Sequence, residues 1–401
     1  MPQNAFLKLL KSALDGETLV PDLNISKEKW RTVFRLAENH RVLPLIFNCI
    51  KSSYPYDESD LLPLKQRTKI LVLEQILRSK AFLEVYEKLC EQGLSPVVVK
   101  GIVCRNLYSD GDCRFSTDED LFVSEEDFEQ YLKAFEALSF TAKPSKGNNY
   151  QTTLCNETGL HIELHKSLFP LGSEYFKPWN QIFINSLNNT RKLTIDGVYI
   201  KTLCETDNLI YLMLHALKHF FHSGVGIRQV CDIIMYANQY GTKIDWSKFF
   251  EILRSLQAEN FALAVLAIGE KHLNFNKDKA NFPEHIKLND ISELPLLEDI
   301  LTGGVFGSSS MARQHSSGLT FDAVQSKKTG LFRQAFPSAK KLGSKYAYAK
   351  KCPLLLPVAW AHRLITYKKE TSQIPDNHPA ATIQIGKRRL KLLSFYGLIS
   401  K

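Results

Sequence analysis

Apolar positions recur at two different periods along the chain, and the change of period divides it. From residue 4 to residue 93 the spacing is helical: Trp30, Val33, Phe34, Leu36 and Ala37 fall on one face, with Asn24 or Ser26 placed to cap that helix. Leu61 to Leu89 continues with Ile and Leu at three- and four-residue intervals, which predicts one or two long helices packing on a core, stopped at Gly93. From Leu94 to about Leu203 the period shortens towards two. Pro96–Val99 and Thr117–Val123 read as strands, with a short helix at Ile102–Tyr108 between them and an amphipathic helix at Glu125–Leu138 after them. Tyr150–Cys155 and His161–His165 read as a hairpin across Asn156–Gly159, and Arg191–Ile200 adds further strand. Helical spacing returns at Glu205–Tyr240 and runs to about Leu273.

The predicted fold class is therefore α+β: a small mixed β-sheet core with helices on one side of it, flanked by N-terminal and C-terminal helical regions. Five segments follow: a helical region 1–93, an α/β core 94–203, a helical domain 204–300, a Gly/Ser-rich loop 301–330 and a basic segment 331–401.

Charge sharpens the last boundary. The chain of 401 residues carries a net +9, but residues 327–401 hold 16 Lys/Arg against only Glu370 and Asp376, a local +14, which leaves −5 for the rest. A segment so charged suits either an anionic partner (a polymer such as nucleic acid, the surface of an anionic membrane or a phosphate-bearing substrate) or simply a solvated face. Aromatic side chains interleave with its basic ones (Phe332, Phe336, Tyr346, Tyr348, Trp360, Tyr367), which suits base stacking and ordinary packing equally. Cys352–Ile365 reads either as a helix docked on a core or as one lying on a membrane interface. The eight cysteines are scattered without a CxxC pair, the first residues lack a signal-peptide pattern, and no apolar run is long enough to span a bilayer. These features point to reduced thiols and a cytoplasmic location.

The chemistry concentrates in Val99-Lys-Gly101 and Thr117-Asp-Glu-Asp-Leu-Phe-Val123. On a strand Asp118 and Asp120 share a face while Glu119 points the other way. Two adjacent carboxylates repel unless a cation lies between them, and hard divalent ions take oxygen ligands with substrate phosphate completing the shell. A nucleotidyl site adds a glycine turn for close phosphate approach, here Lys100-Gly101, and a third carboxylate on a neighbouring strand, here Glu163 in His161-Ile-Glu-Leu-His165. Arg114 either binds phosphate or neutralises the carboxylates, and Lys100 either meets phosphate or pairs with Asp118. His215 and His219 lie one helical turn apart without the glutamate of a zinc-protease motif, which places them as packing or substrate-contacting groups beside the site. Arg228 and Asp232, at i and i+4, most simply pair with each other.

The run Val99-Lys-Gly101, Tyr108, Arg114, Asp118–Val123 and Ile162-Glu-Leu-His165 resembles the uncharacterised bacterial nucleotidyltransferase family, of the polymerase-β-like nucleotidyltransferase fold. Leu214–His219 with Arg228 and Asp232, and the tail at Phe336-Pro337 and Leu355–Arg363, look similar to that family too, so the likeness spans roughly residues 30–365. The resemblance implies an enzyme that transfers a nucleoside monophosphate from an NTP to a hydroxyl or phosphate. Asp118, Asp120 and Glu163 would be the catalytic carboxylates and hold Mg²⁺ or Mn²⁺. Lys100, Gly101 and Arg114 would face the nucleotide, with His165, His215, His219 and Arg228 behind them. The wider superfamily has Gly-Gly or Gly-Ser at the turn, so Lys100 is a departure. Two other readings use the same residues: a DxD-dependent transferase with a nucleotide-sugar donor, and a non-catalytic nucleotide-binding module.

Overall fold

The computed structural model describes residues 2–16, 23, 25–50, 54–143, 150–222, 224–304, 311–326, 338, 339, 342, 344–371 and 379–399. The chain forms two compact units, one of residues 1–216 with 227–294 and the other of 217–226 with 295–401.

The first unit opens with helices α1 (Pro2–Leu14), α2 (Lys27–Asn39), α3 (Leu43–Ile50) and α4 (Leu62–Glu91). Ser26 stands at the N-cap position of α2 but its side chain makes no cap hydrogen bond; Asn24 lies outside the described residues. The sheet follows. Its strands are β1 (Val97–Val98), β2 (Asp118–Phe122), β3 (Thr141–Ala142), β4 (Gln151–Cys155), β5 (His161–His165), β6 (Thr190–Ile195) and β7 (Val198–Leu203), in the order β3-β4-β5-β2-β1-β7-β6. Between them lie α5 (Ile102–Arg105), α6 (Phe128–Ala137) and α7 (Lys177–Ile182). The sheet is mixed: β2 runs parallel to β5 and β1 to β7, and the remaining pairs are antiparallel. This is the α+β class expected from the change of period. The predicted strand Arg191–Ile200 is instead the β6–β7 hairpin, turned at Asp196-Gly197 with both residues at positive φ, the signature of an Asp-Gly hairpin turn.

Alternation sorts the sheet into an apolar and a polar face. Val98, Leu121, Leu154, Ile162 and Leu164 point to one side and pack with Phe82, Leu83, Tyr86 and Leu89 of α4 and Phe128, Tyr131 and Phe135 of α6. Asp118, Asp120, Glu163 and His165 share the other side. Helices are not confined to one side: His215, on α8 (Glu205–Phe221), reaches Lys100 beside the polar face.

Helix α4 reverses its amphipathicity along its length. Its second half buries Phe82, Leu83, Tyr86 and Leu89, as expected of a core helix. Its first half buries Thr68, Gln75 and Ser79 and exposes Leu62, Ile70, Leu73, Ile76 and Leu77. The buried polar groups have work to do there, because Gln75 Oε1 accepts the Ser116 N–H at 2.7 Å and Arg78 donates to the Ser116 carbonyl at 3.4 Å. The first half therefore supports the segment that leads into β2 rather than the apolar core.

At the two-residue strand β1 the β1–β7 register joins Val98 to Thr202. The Tyr86 hydroxyl supplements it, donating to Pro96 O at 3.0 Å and accepting the Lys201 N–H at 2.9 Å, while Thr202 Oγ1 donates to Val98 O at 2.6 Å.

The expected helix Glu205–Tyr240 is two helices, α8 and α9 (Ile227–Tyr240), followed by α10 (Trp246–Ser255) and α11 (Glu259–His272). Among the described residues helices α12 (Leu294–Gly303), α13 (Met311–Ser326), α14 (Ala347–Lys351), α15 (Leu356–Thr371) and α16 (Pro379–Phe395) follow. Where Gly and Ser content predicted a loop over 301–330, residues 311–326 are thus helical: the Gly/Ser clusters at 307–310 and 316–318 flank or interrupt a stretch that still carries Leu319, Phe321, Ala323 and Val324 at helical spacing. In the second unit buried Arg389 donates to the Thr320 hydroxyl and to carbonyls 220 and 222, and Arg313 pairs with Asp299 at 2.6 Å.

Candidate functional site

The site is built on the parallel pairing of β2 with β5. The register sets Asp118 opposite His161, Asp120 opposite Glu163 and Phe122 opposite His165. Two carboxylates from sequence-distant strands thereby face each other on one side of the sheet. Their oxygens and a ring nitrogen of His165 all lie within 4.8 Å of one another, a group that could hold a metal ion. Asp118 stands two residues before Asp120 on the same face, half-buried, accepting the Thr117 hydroxyl at 3.2 Å, and is not part of that group.

The inner half of the site is buried and densely charged. Asp120 is 1% exposed, with Lys100 Nζ 3.0 Å from its Oδ2 and His165 Nε2 3.3 Å from its Oδ1. His165 Nε2 is also 3.5 Å from Glu163 Oε2, and Lys100 Nζ is 3.5 Å from His215 Nε2. Burial alone would raise the Asp120 carboxyl, but the Lys100 charge and the His165 hydrogen bond and charge outweigh it and hold the group well below the usual carboxylate range. Burial likewise works against a charged Lys100, yet Asp120, with Asp118 and Glu163 behind it, carries the ammonium above its ordinary value. His165 is raised for the same reason: desolvation is outweighed by hydrogen bonds to Asp120 and Glu163. Lys100 thus pairs with Asp120, where the sequence had offered phosphate or Asp118.

Glu119, on the opposite face of β2, builds the turn. Its carboxylate accepts the Ile102 N–H at 2.7 Å and pairs with buried Arg105, which also donates to the Ser116 hydroxyl at 2.5 Å. The turn comes so close that a Cβ on Gly101, at φ +63°, would lie 2.0 Å from Glu119 Oε2. Only glycine fits this conformation and this approach. The middle residue of Asp-Glu-Asp therefore positions Lys100, while its neighbours face the polar side.

Two expected site residues are engaged elsewhere. Arg114, expected at phosphate, is 1% exposed and holds Asp232 through two hydrogen bonds, of 3.0 and 2.5 Å, and the Tyr108 hydroxyl donates to the same carboxylate at 2.8 Å. A guanidinium whose fork is filled by a carboxylate has the bidentate face it would offer phosphate already occupied. The expected Arg228–Asp232 pair is accordingly replaced: Arg228 donates to the Phe115 carbonyl, and burial, with Arg114 close by, pulls it down to about 10. These contacts tie α9 to the loop before β2. His219 lies one turn beyond His215 on α8, half-buried. His165 was legible only as a supporting residue, although its place two residues after Glu163 puts it on the same face.

The family model described as uncharacterised nucleotidyltransferase matches residues 26–274, a stretch that contains the entire sheet and the Lys-Gly turn. The chain belongs to this family. Membership supports an enzyme whose substrate is an NTP. No curated protein and no solved structure matches the chain. The match ends before the similar-looking tail; of that tail Phe336-Pro337 lies outside the described residues, and Leu355–Arg363 forms the end of a 3-10 turn and the start of α15. Among the described residues no helix is long and apolar enough to cross a membrane.

Proposed function

We propose that this nucleotidyltransferase moves a nucleoside monophosphate from an NTP to a hydroxyl or phosphate acceptor by in-line displacement at the α-phosphorus, with pyrophosphate leaving. The observation that carries this reading is the β2–β5 register, which brings Asp120 and Glu163 together beside a glycine turn. Asp120, Glu163 and His165 would hold a divalent cation, with Asp118 at the outer margin. The fit is supported by the donor set, two carboxylates and an imidazole whose ligand atoms all lie within 4.8 Å of one another. The cation would supply positive charge against the phosphate oxygens.

The chain's own residues have separable tasks. Lys100 neutralises Asp120 and, with the Gly101 amide, faces the triphosphate. Glu163, 28% exposed in its side chain, is the carboxylate best placed to meet an acceptor hydroxyl and take its proton. A set of two carboxylates and one imidazole suits Mn²⁺ better than Mg²⁺, which prefers oxygen alone. Arg114, locked on Asp232, has a structural part only.

The test is pyrophosphate release from each NTP with Mn²⁺ or Mg²⁺, together with calorimetric titration of each metal. Asp120→Asn and Glu163→Gln should each lower turnover by about a thousandfold, the several kcal/mol that metal-assisted charge stabilisation contributes, and should weaken Mn²⁺ binding. Full turnover in both variants would refute the assignment.

A further inference from the structure

The first half of α4 presents a surface that the nucleotidyl site does not use. Leu62, Ile70, Leu73, Ile76 and Leu77 are each 42–60% exposed while the polar Thr68, Gln75 and Ser79 face inward. A helix of a globular protein normally turns its apolar stripe to the core, and exposed apolar side chains gathered on one face mark an interaction surface. Basic side chains flank this strip at Lys65 and Arg67, break into it at Lys69 and close its end at Lys80. Lys65, Arg67, Lys69 and Lys80 are exposed, and the one acid among them, Glu74, is 3.7 Å from Arg78.

We propose that this outward face docks on an anionic lipid bilayer, the apolar side chains entering the headgroup–acyl boundary and the lysines meeting lipid phosphates. Three features select this occupant. Basic side chains flanking an apolar strip along one helix are complementary to an anionic interface. A second copy of the chain would set the same basic side chains against themselves across a twofold axis. The face is also the outside of a single helix, suited to a flat, yielding surface. Gln75 and Arg78, on the other side of the helix, hold Ser116, so docking would set the segment that leads into β2 about one helix diameter from the membrane surface.

The experiment is co-sedimentation of the full chain with phosphatidylcholine vesicles, with and without phosphatidylglycerol. Binding should require the anionic lipid and weaken with salt. Leu73→Glu with Leu77→Glu should weaken partitioning about tenfold or more with an unchanged melting temperature, since both positions are exposed. Loss of pyrophosphate release would not accompany it in solution, which separates this proposal from the catalytic one. Absence of binding by the parent chain overturns it. So does undiminished binding by the double variant, including the case in which binding is lost only on Val358→Glu with Ile365→Glu, exposed positions of the second unit. Self-association of the parent chain that the α4 variant dissolves, without vesicle binding, also overturns it.

Discussion

Gly101→Ala tests how the turn is held. The added Cβ would lie 2.0 Å from Glu119 Oε2, 2.7 Å from its Cδ and 3.2 Å from the Asp118 carbonyl, at φ +63° and ψ −114°. Strained backbone of this sort costs about 1–3 kcal/mol for a non-glycine residue. A side-chain end can usually swing away from such a clash, but the Glu119 carboxylate is buried, paired with Arg105 and bonded to the Ile102 N–H. Displacing it sacrifices a hydrogen bond to a charged group, about 1.5–3 kcal/mol, so the whole cost is about 2.5–6 kcal/mol. In thermal unfolding that corresponds to a loss of about 3–7 °C for a chain of this size. The decisive comparison is a double-mutant cycle. In a Glu119→Ala background the clash is gone, and Gly101→Ala should cost only the backbone strain of about 1–3 kcal/mol. Equal costs in the two backgrounds would refute the clash argument, and a cost below about 1 kcal/mol in the parent would refute the strain argument as well.

Other consequences are open to measurement. Arg114→Ala leaves the Asp232 carboxylate buried without its guanidinium and should destabilise by about 3–5 kcal/mol, whereas Arg114→Met with Asp232→Leu should recover much of that loss in thermal unfolding. Stability should also fall in mild acid through His222. Burial, with Lys218 and Arg389 adding to it, depresses this imidazole to about 4, so between that value and 6.5 the unfolded chain binds a proton that the folded chain does not. Folding therefore weakens as pH drops through this window, by about 1–2 kcal/mol at pH 5 given the partial exposure of the ring. His222→Gln should flatten the difference between melting temperatures at pH 7 and pH 5; an unaltered slope would remove His222 as its source.

Much of the sheet was legible because alternation is a local signal. Asp118 and Asp120 on one face and Glu119 on the other follow from the strand period, and the helical–alternating–helical succession gave the α+β class. The partners of the charged groups were not legible. Asp232 lies four residues from Arg228, an easy pairing by spacing, yet the fold brings Arg114 from 118 positions away and fills the carboxylate with a bidentate contact. Helix α4 shows the same limit from the other side. Its apolar spacing is continuous through residue 89, but periodicity reports only that a stripe exists. Which half meets the core depended on Gln75 being needed by the backbone at Ser116. Residues 311–326 misled through composition, since Gly and Ser lower helix propensity without forbidding a helix that tertiary packing supports.

The phenol of Tyr86 has a consequence beyond its two bonds. With only one residue of β1 in register with β7, a ring from a neighbouring helix does part of the work of a missing rung. Within the interior of the sheet, opening should then be easier at this line than between the acid-bearing strands β2 and β5, which share five register pairs. The amide of Lys201, shielded by an aromatic hydroxyl instead of a carbonyl, should trade its proton with solvent sooner than the amides of the β2–β5 ladder.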